Sequence, residues 1–198
     1  MTSPRDTLAE PAQLAQDVRK SRFLANAANA PGPDAAIAFV TAVADAGATH
    51  NCWAYRVGQH YRFNDDGEPA GTAGKPILQA IDGQGLDEVV VVITRWFGGI
   101  KLGAGGLMRA YGGCAAECLR GAAKRELIHT SEVEFGLGFS ALPLMHARLA
   151  AFDAQKLSES FVSGGAVLRV RIATVRLEAL RALLADVSRG QCSMRVLD

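Results

Sequence analysis

No uninterrupted apolar run reaches the roughly 18 residues that a membrane span requires. Acids stand early, at Asp6 and Glu10, where a secretory leader would carry its apolar core. Charge of either sign is scarcely in excess: the formal net charge is +1. That balance excludes a strongly basic coat for nucleic acid and leaves a local patch as the route to a polyanion. Cysteine is sparse, and Cys52, Cys114, Cys118 and Cys192 lack the paired spacing of a zinc knuckle. They sit in apolar or helical patterns and read as reduced, buried thiols of a cytoplasmic protein. Apolar residues are plentiful, 49% of 198 against 21% charged, enough for a core in one large or two small domains.

The most informative absence is local: no acid occurs between Arg95 and Gly113. Val89–Thr94, apolar and β-branched, predicts a buried strand. Leu107, Ala110, Tyr111, Cys114, Cys118 and Leu119 recur at helical spacing after it. A strand, a glycine-rich loop and a helix start leave backbone N–H groups and the positive dipole end free for an anion. Arg95, Lys101 and Arg109 add positive charge there, and Gly98, Gly99, Gly103, Gly105 and Gly106 allow close approach. Glycine inside a helix costs about 1 kcal/mol relative to Ala. Close packing on the sheet, contact with an anion or nucleic acid, or a small-molecule pocket would each exclude a Cβ. Two familiar phosphate loops fail. The segment Gly71-Thr72-Ala73-Gly74-Lys75 has Pro69 and Pro76 where a Walker loop needs Gly and Ser/Thr. The segment Gly103-Ala104-Gly105-Gly106-Leu107-Met108 ends in Met where a dinucleotide fingerprint needs Gly or Ala. No cofactor is expected.

Taken in order, residues 1–19 read as a loose arm interrupted by Pro4 and Pro11. Ser21–Ala25 is a short first strand. Asp34 is a candidate N-cap for a helix carrying Ile37, Phe39, Val40 and Val43 and ending at Gly47. Asn51–Val57 and Tyr61–Asn64 form a hairpin about Gly58-Gln59. A helix runs from about Lys75 to Ile81. The glycine-rich helix ends near Ala123, and Lys124-Arg125-Glu126 marks a domain junction. From Glu132 the order strand, helix, strand, strand, helix, strand gives βαββαβ, the ferredoxin-like plan. The expected division is an N-terminal domain over 20–128 and a C-terminal one over 129–198, an α+β protein overall.

Three blocks then stand out: His50-Asn51-Cys52-Trp53-Ala54-Tyr55-Arg56; Asn64-Asp65-Asp66-Gly67-Glu68-Pro69-Ala70-Gly71-Thr72-Ala73-Gly74; and Thr94 to Leu107 with Arg109-Ala110-Tyr111-Gly112. In that order they resemble the IMPACT/YigZ family over about residues 20–123, and the C-terminal part resembles its bacterial branch in element order and size. The resemblance implies a first domain like domain 2 of ribosomal protein S5 and domain IV of elongation factor G, and a second like domain V of that factor. Those relatives touch RNA on the ribosome. The family is associated with translational regulation, and no catalytic activity is established for it. Eukaryotic members carry an extra N-terminal domain that competes for an activator of a starvation-responsive kinase. With only residues 1–19 ahead of the core, that role is not expected here.

The leading expectation is a non-enzymatic, translation-associated regulator that binds RNA or a ribosomal surface through the glycine-rich basic loop, with Arg56 and Arg62 as further candidate phosphate contacts. A second reading is a protein–protein module anchored by Trp96, Phe97, Ile100 and Leu102. A third is an enzyme using Asp65, Asp66 and Glu68 with His50. Those acids are equally suited to pairing with Arg95, Lys101 or Arg109. His50 and Cys52 share a strand face, yet no second ligand pair accompanies them, so no metal site is expected. Arg169, Arg171 and Arg195 are expected to form cross-strand ion pairs with Glu132 and Glu134.

Overall fold

The computed structural model describes residues 5–197; residues 1–4 and 198 lie outside it. The chain divides into two compact units, the first ending at Leu127 and the second beginning at Ile128. Both mix helices with antiparallel sheet, so the class is α+β. No described helix is long and apolar enough to cross a membrane.

The first unit runs β1 (Asp6–Leu8), β2 (Ala12–Val18), β3 (Ser21–Asn29), α1 (Pro33–Val43), β4 (His50–Val57), β5 (His60–Asn64), α2 (Gly74–Gly83), β6 (Val89–Trp96), α3 (Ala104–Gly121) and β7 (Lys124–Glu126). Five strands form one antiparallel sheet in the order β2-β3-β6-β4-β5, and β1 pairs with β7. β6 is central and buried from Val89 to Arg95, which is why its sequence is a β-branched run and not an alternation. Val91 and Ile93 pack with Phe23, Cys52 and Ala54 beneath α2 and α3, where Ile77, Ile81 and Tyr111 close the core. Val90 and Val92 face the other way, with Tyr55, Ala28 and Ala36 of α1.

Several local expectations are corrected. Of the expected arm, residues 1–4 lie outside the described residues, and much of the rest is sheet. Thr7 and Leu8 are fully buried, Asp87 N donates to Asp6 O, and Leu127 N donates to Arg5 O. β2 alternates half-buried and exposed positions along Ala12–Val18, so Leu14 and Val18 pack on the core. The first expected strand extends on to Asn29 because its alanines lie between sheet and helices. Asp34 does not cap α1: Pro33 opens the helix after Gly32, as its fixed φ favours. The helix ends at Val43, short of Gly47. Lys124-Arg125-Glu126 is a strand of the first unit and not a linker.

The second unit runs β8 (Thr130–Gly138), α4 (Leu142–Leu149), β9 (Gln155–Val162), β10 (Gly165–Ala173), α5 (Leu177–Val187) and β11 (Met194–Val196), with a short 3₁₀ turn at Ala150–Phe152. Its antiparallel sheet has the order β11-β8-β10-β9. Val133, Phe135, Leu168 and Val170 face Met145, Leu180 and Leu184 in its core. The opposite face carries the ion pairs expected from the alternation: Arg169 and Arg171 on Glu132, and Arg195 on Glu134. The arginines hold the Glu132 carboxyl below its ordinary range, the hydrogen bond from Arg171 first.

Since β1 and β2 belong to the first unit, a fragment of residues 1–127 should melt cooperatively. One beginning at Lys20 should lose about 2 kcal/mol or more, because Leu8, Leu14 and Val18 leave the core. Thermal and urea unfolding of the two fragments measure this, and equal stability would refute the role given to the N-terminal strands.

Candidate functional site

The basic loop spans residues 97–103, between the end of β6 and the start of α3. Gly99 and Gly103 have φ of 86° and 71°, a region that glycine enters without strain. Gly98 serves a different need: a Cβ there would lie 1.8 Å from Lys20 O. The loop therefore presses against the β2–β3 turn, whose Arg19 and Lys20 both have positive φ. That contact brings Arg19 and Lys20 to the loop, and the linear sequence gave no sign of it beyond two adjacent cations between strands. Arg19, Leu102, Gly106 and Arg109 line a common cavity of about 260 Å³. Among the described residues no acid pairs with Arg19, Lys20, Lys101 or Arg109.

The two helix starts beneath this surface differ. α2 is capped from a distance by Asp65, whose carboxylate accepts from the backbone N–H groups of Gly71, Ala73 and Gly74 at 2.8, 3.0 and 2.8 Å. Its positive end is thus already neutralised by the chain itself. α3 begins after Gly103 with no capping side chain and no acid in its first turn. The N–H of Leu107 bonds Gly103 O.

Of the arginines expected to meet phosphate, Arg95 does not stand free. It is 4% exposed and pairs with the equally buried Glu68. Its guanidinium lies 5.5 Å from the ring centroids of both Phe23 and Phe97. Glu68 Oε1 also accepts from Tyr111 Oη at 2.8 Å, and burial pushes the Tyr111 phenol far up, so it stays a donor. Arg56 is held by Asp82 of α2 and lies over Tyr61. Arg62 pairs across the ladder with Tyr55, whereas Arg56 pairs with Tyr61. The two arginines therefore project from opposite sheet faces, and neither joins Lys101 and Arg109. Arg22 stacks on Trp96 at 5.4 Å.

The acids proposed for catalysis are occupied. Asp65 caps α2, and Asp66 Oδ2 accepts from Asn51 N at 2.6 Å. His50 Nδ1 donates to Asp66 O at 2.7 Å, a carbonyl being able only to accept. Cys52 Sγ donates to Asp65 O at 3.0 Å, and burial pushes its thiol up to about 12. It is therefore a packed thiol, not a thiolate nucleophile. Among the described residues no three His, Cys, Asp or Glu side chains are arranged to hold a metal ion.

The glycines separate into two groups. A Cβ on Gly74 would lie 2.8 Å from the Asn64 backbone and one on Gly106 3.1 Å from Leu102 Cβ, so packing accounts for these two, whereas one on Gly112 would make ordinary contact with Pro76 at 3.4 Å. A Cβ on Gly105 would approach only the end of Arg109, and one on Gly113 would meet nothing. For Gly105 and Gly113, packing supplies no reason.

Comparison with known proteins agrees with the three sequence blocks. Residues 19–119 match the family described as the Impact N-terminal domain. A protein of Escherichia coli named "IMPACT family member YigZ" is 36% identical over 197 residues, 96% of each chain. A Thermus thermophilus protein, "IMPACT family member in pol 5'region", is 53% identical over 134 residues, 68% of this chain and 74% of its own. "Protein IMPACT" of Xenopus laevis is 44% identical over 62 residues, 28% of this chain and 19% of its own. A crystal structure of a hypothetical protein superposes with a TM-score of 0.74 at 33% identity, covering 100% of this chain and 99% of the other.

Two measurements check these assignments. Arg95→Ala leaves Glu68 buried without its partner and should cost about 3–5 kcal/mol in urea unfolding. Gly98→Ala should destabilise through the Lys20 backbone clash, while Gly105→Ala should be neutral or stabilise by up to about 1 kcal/mol. A tolerated Arg95→Ala would mean that the ion pair does not support the fold.

Proposed function

Because the chain belongs to the IMPACT family, we propose that it is a non-enzymatic, translation-associated regulator whose first unit binds RNA, free or on a ribosomal surface, through the phosphate backbone. The observation that carries this reading is the contrast between two helix starts in one unit. α2 is closed by Asp65. α3 opens without a capping side chain, beside Arg19, Arg109 and Lys101 and the loop against which the Lys20 backbone packs. A polyanion gains from free N–H groups, from the dipole and from cations with no internal partner. Gly105 and Gly113 allow its backbone to come close to the helix. A protein of net charge +1 then needs only this patch to bind.

The finer fold assignment belongs to the same proposal. The first unit is taken as ribosomal protein S5 domain 2-like and the second as ferredoxin-like, a pair similar to domains IV and V of elongation factor G. The βαββαβ order and the strand order β11-β8-β10-β9 support the second half of it. Fold likeness to translation proteins is an analogy and adds to the site argument without replacing it. A cytoplasmic place of action follows from the partner. A protein partner docking on Phe97, Ile100 and Met108, exposed at 46%, 41% and 47%, is the second reading.

Binding to single-stranded RNA should weaken with salt at about 0.7 in log–log slope for each phosphate neutralised. With about four cations the slope should be near −3, and Lys101→Ala or Arg109→Ala should each reduce it by nearly one contact. Arg169→Ala with Arg171→Ala should leave it unchanged, since both arginines are paired with Glu132. Fluorescence titration across a salt series reads this. A slope indifferent to Lys101 and Arg109, or binding that survives in high salt and fails with Ile100→Ala and Met108→Ala, would replace RNA by the protein partner.

A further inference from the structure

A second cavity, of about 280 Å³, opens at the start of α3 and is lined by Glu68, Arg95, Phe97, Lys101 and Leu107 among others. Its chemistry differs from that of the cationic surface around it. Pro69, Leu102 and Leu107 make apolar walls. Phe97 stands at 46% exposure, with the Arg95 guanidinium 5.5 Å from its ring centroid. The polar groups are Arg95 and Glu68. Glu68 Oε1 already accepts from Arg95 and Tyr111, whereas no described residue donates to Oε2. The Arg95 side chain, 5% exposed, keeps a buried Nε–H without any partner. A buried guanidinium donor left unpaired is costly and rare in a native protein.

An unfilled carboxylate oxygen makes this cavity a poor seat for a phosphate. An acceptor beside an unfilled donor, under an aromatic ring and between apolar walls, matches instead a flat heterocycle with a donor next to an acceptor on its edge. Every nucleobase has that edge, and extruded bases are read by stacking together with edge hydrogen bonds. The volume lies at the low end for ligand cavities, suited to a single ring system. We propose that this cavity takes one unpaired nucleobase of the bound strand, packed against the Phe97 ring, with an N–H donated to Glu68 Oε2 and an acceptor turned to Arg95 or the first N–H groups of α3. The inference rests on the polyanion reading above: phosphates held by Lys101 and Arg109 deliver the base to the loop. It adds that binding requires unpaired strand and that the loop reads a base as well as charge.

The test compares a short single-stranded RNA with the same oligonucleotide made abasic throughout, so that phosphate number is constant. The protein should bind the parent at least about fivefold more tightly, the lower end for loss of one base–aromatic stack, with the same salt slope for both. Phe97→Ala should remove that difference, with its thermal midpoint confirming that the fold persists. Equal affinity of wild type for parent and abasic strands overturns the base inference and leaves the polyanion reading standing. If neither strand binds, the polyanion reading falls and titration with guanosine, which has no phosphate, decides the cavity. Guanosine binding lost in Phe97→Ala supports it, and no binding overturns it.

Discussion

The buried pair of Arg95 and Glu68 is the contact on which the first unit turns. Arg95 comes from the central strand, Glu68 from the acidic turn before α2, Tyr111 from α3 and Ser21 from β3, whose Oγ lies 3.3 Å from the guanidinium. Central strand, acidic turn and α3, distant from one another in sequence, meet at one carboxylate. Two charges removed from water add little net stability, yet removing one of them is expensive because the other remains uncompensated. A contact of that kind specifies arrangement more than it adds strength. Here it sets where α3 starts relative to β6, and so where the loop between them must lie.

That arrangement also divides the charges. Several acids of the first unit have partners: Asp65 caps α2, Asp66 accepts from Asn51, and Glu68, Asp82 and Asp87 pair with Arg95, Arg56 and Arg5. Arg19, Lys20, Lys101 and Arg109, none of them paired with an acid among the described residues, lie at the turn between β2 and β3 and about the first turns of α3. In the second unit the opposite holds, since its outer sheet face is a ladder of matched pairs. On a nearly neutral chain the unpaired cations beside α3 thus form a local patch that composition alone does not announce.

Much of this was legible in the residues. The β-branched run marked the central strand, helical spacing marked α3, and alternation over 132–137 and 166–173 marked the second sheet. Three family blocks identified the first unit's kin. What was not legible is long-range. Nothing local says that Glu68 meets Arg95, 27 positions on, so a buried structural arginine looked like a surface cation. β2 gives only a weak strand signal because glutamines and alanines dilute it, although its period of two is present from Ala12 to Val18. The glycines could be sorted only once their neighbours were known, since the same residue that makes room for Lys20 at position 98 faces open space at position 105.

The strand order of the first sheet has a consequence for how the chain comes into being. β6 lies between β3 and β4, yet it follows both in sequence, with β5 and α2 intervening even after β4. A chain emerging from the ribosome therefore presents two strands that are neighbours in time and not in space, with a slot between them awaiting the most apolar segment of the domain. Until Val89–Trp96 has been synthesised, β3 and β4 each have an open inner edge, a template for pairing with foreign strands. Non-local pairing of this kind is slow, and nascent chains with exposed edges are prone to aggregate. Growth of this domain is thus a race between insertion of its own keystone strand and capture by someone else's, and anything that pauses translation before residue 96 lengthens the period of risk.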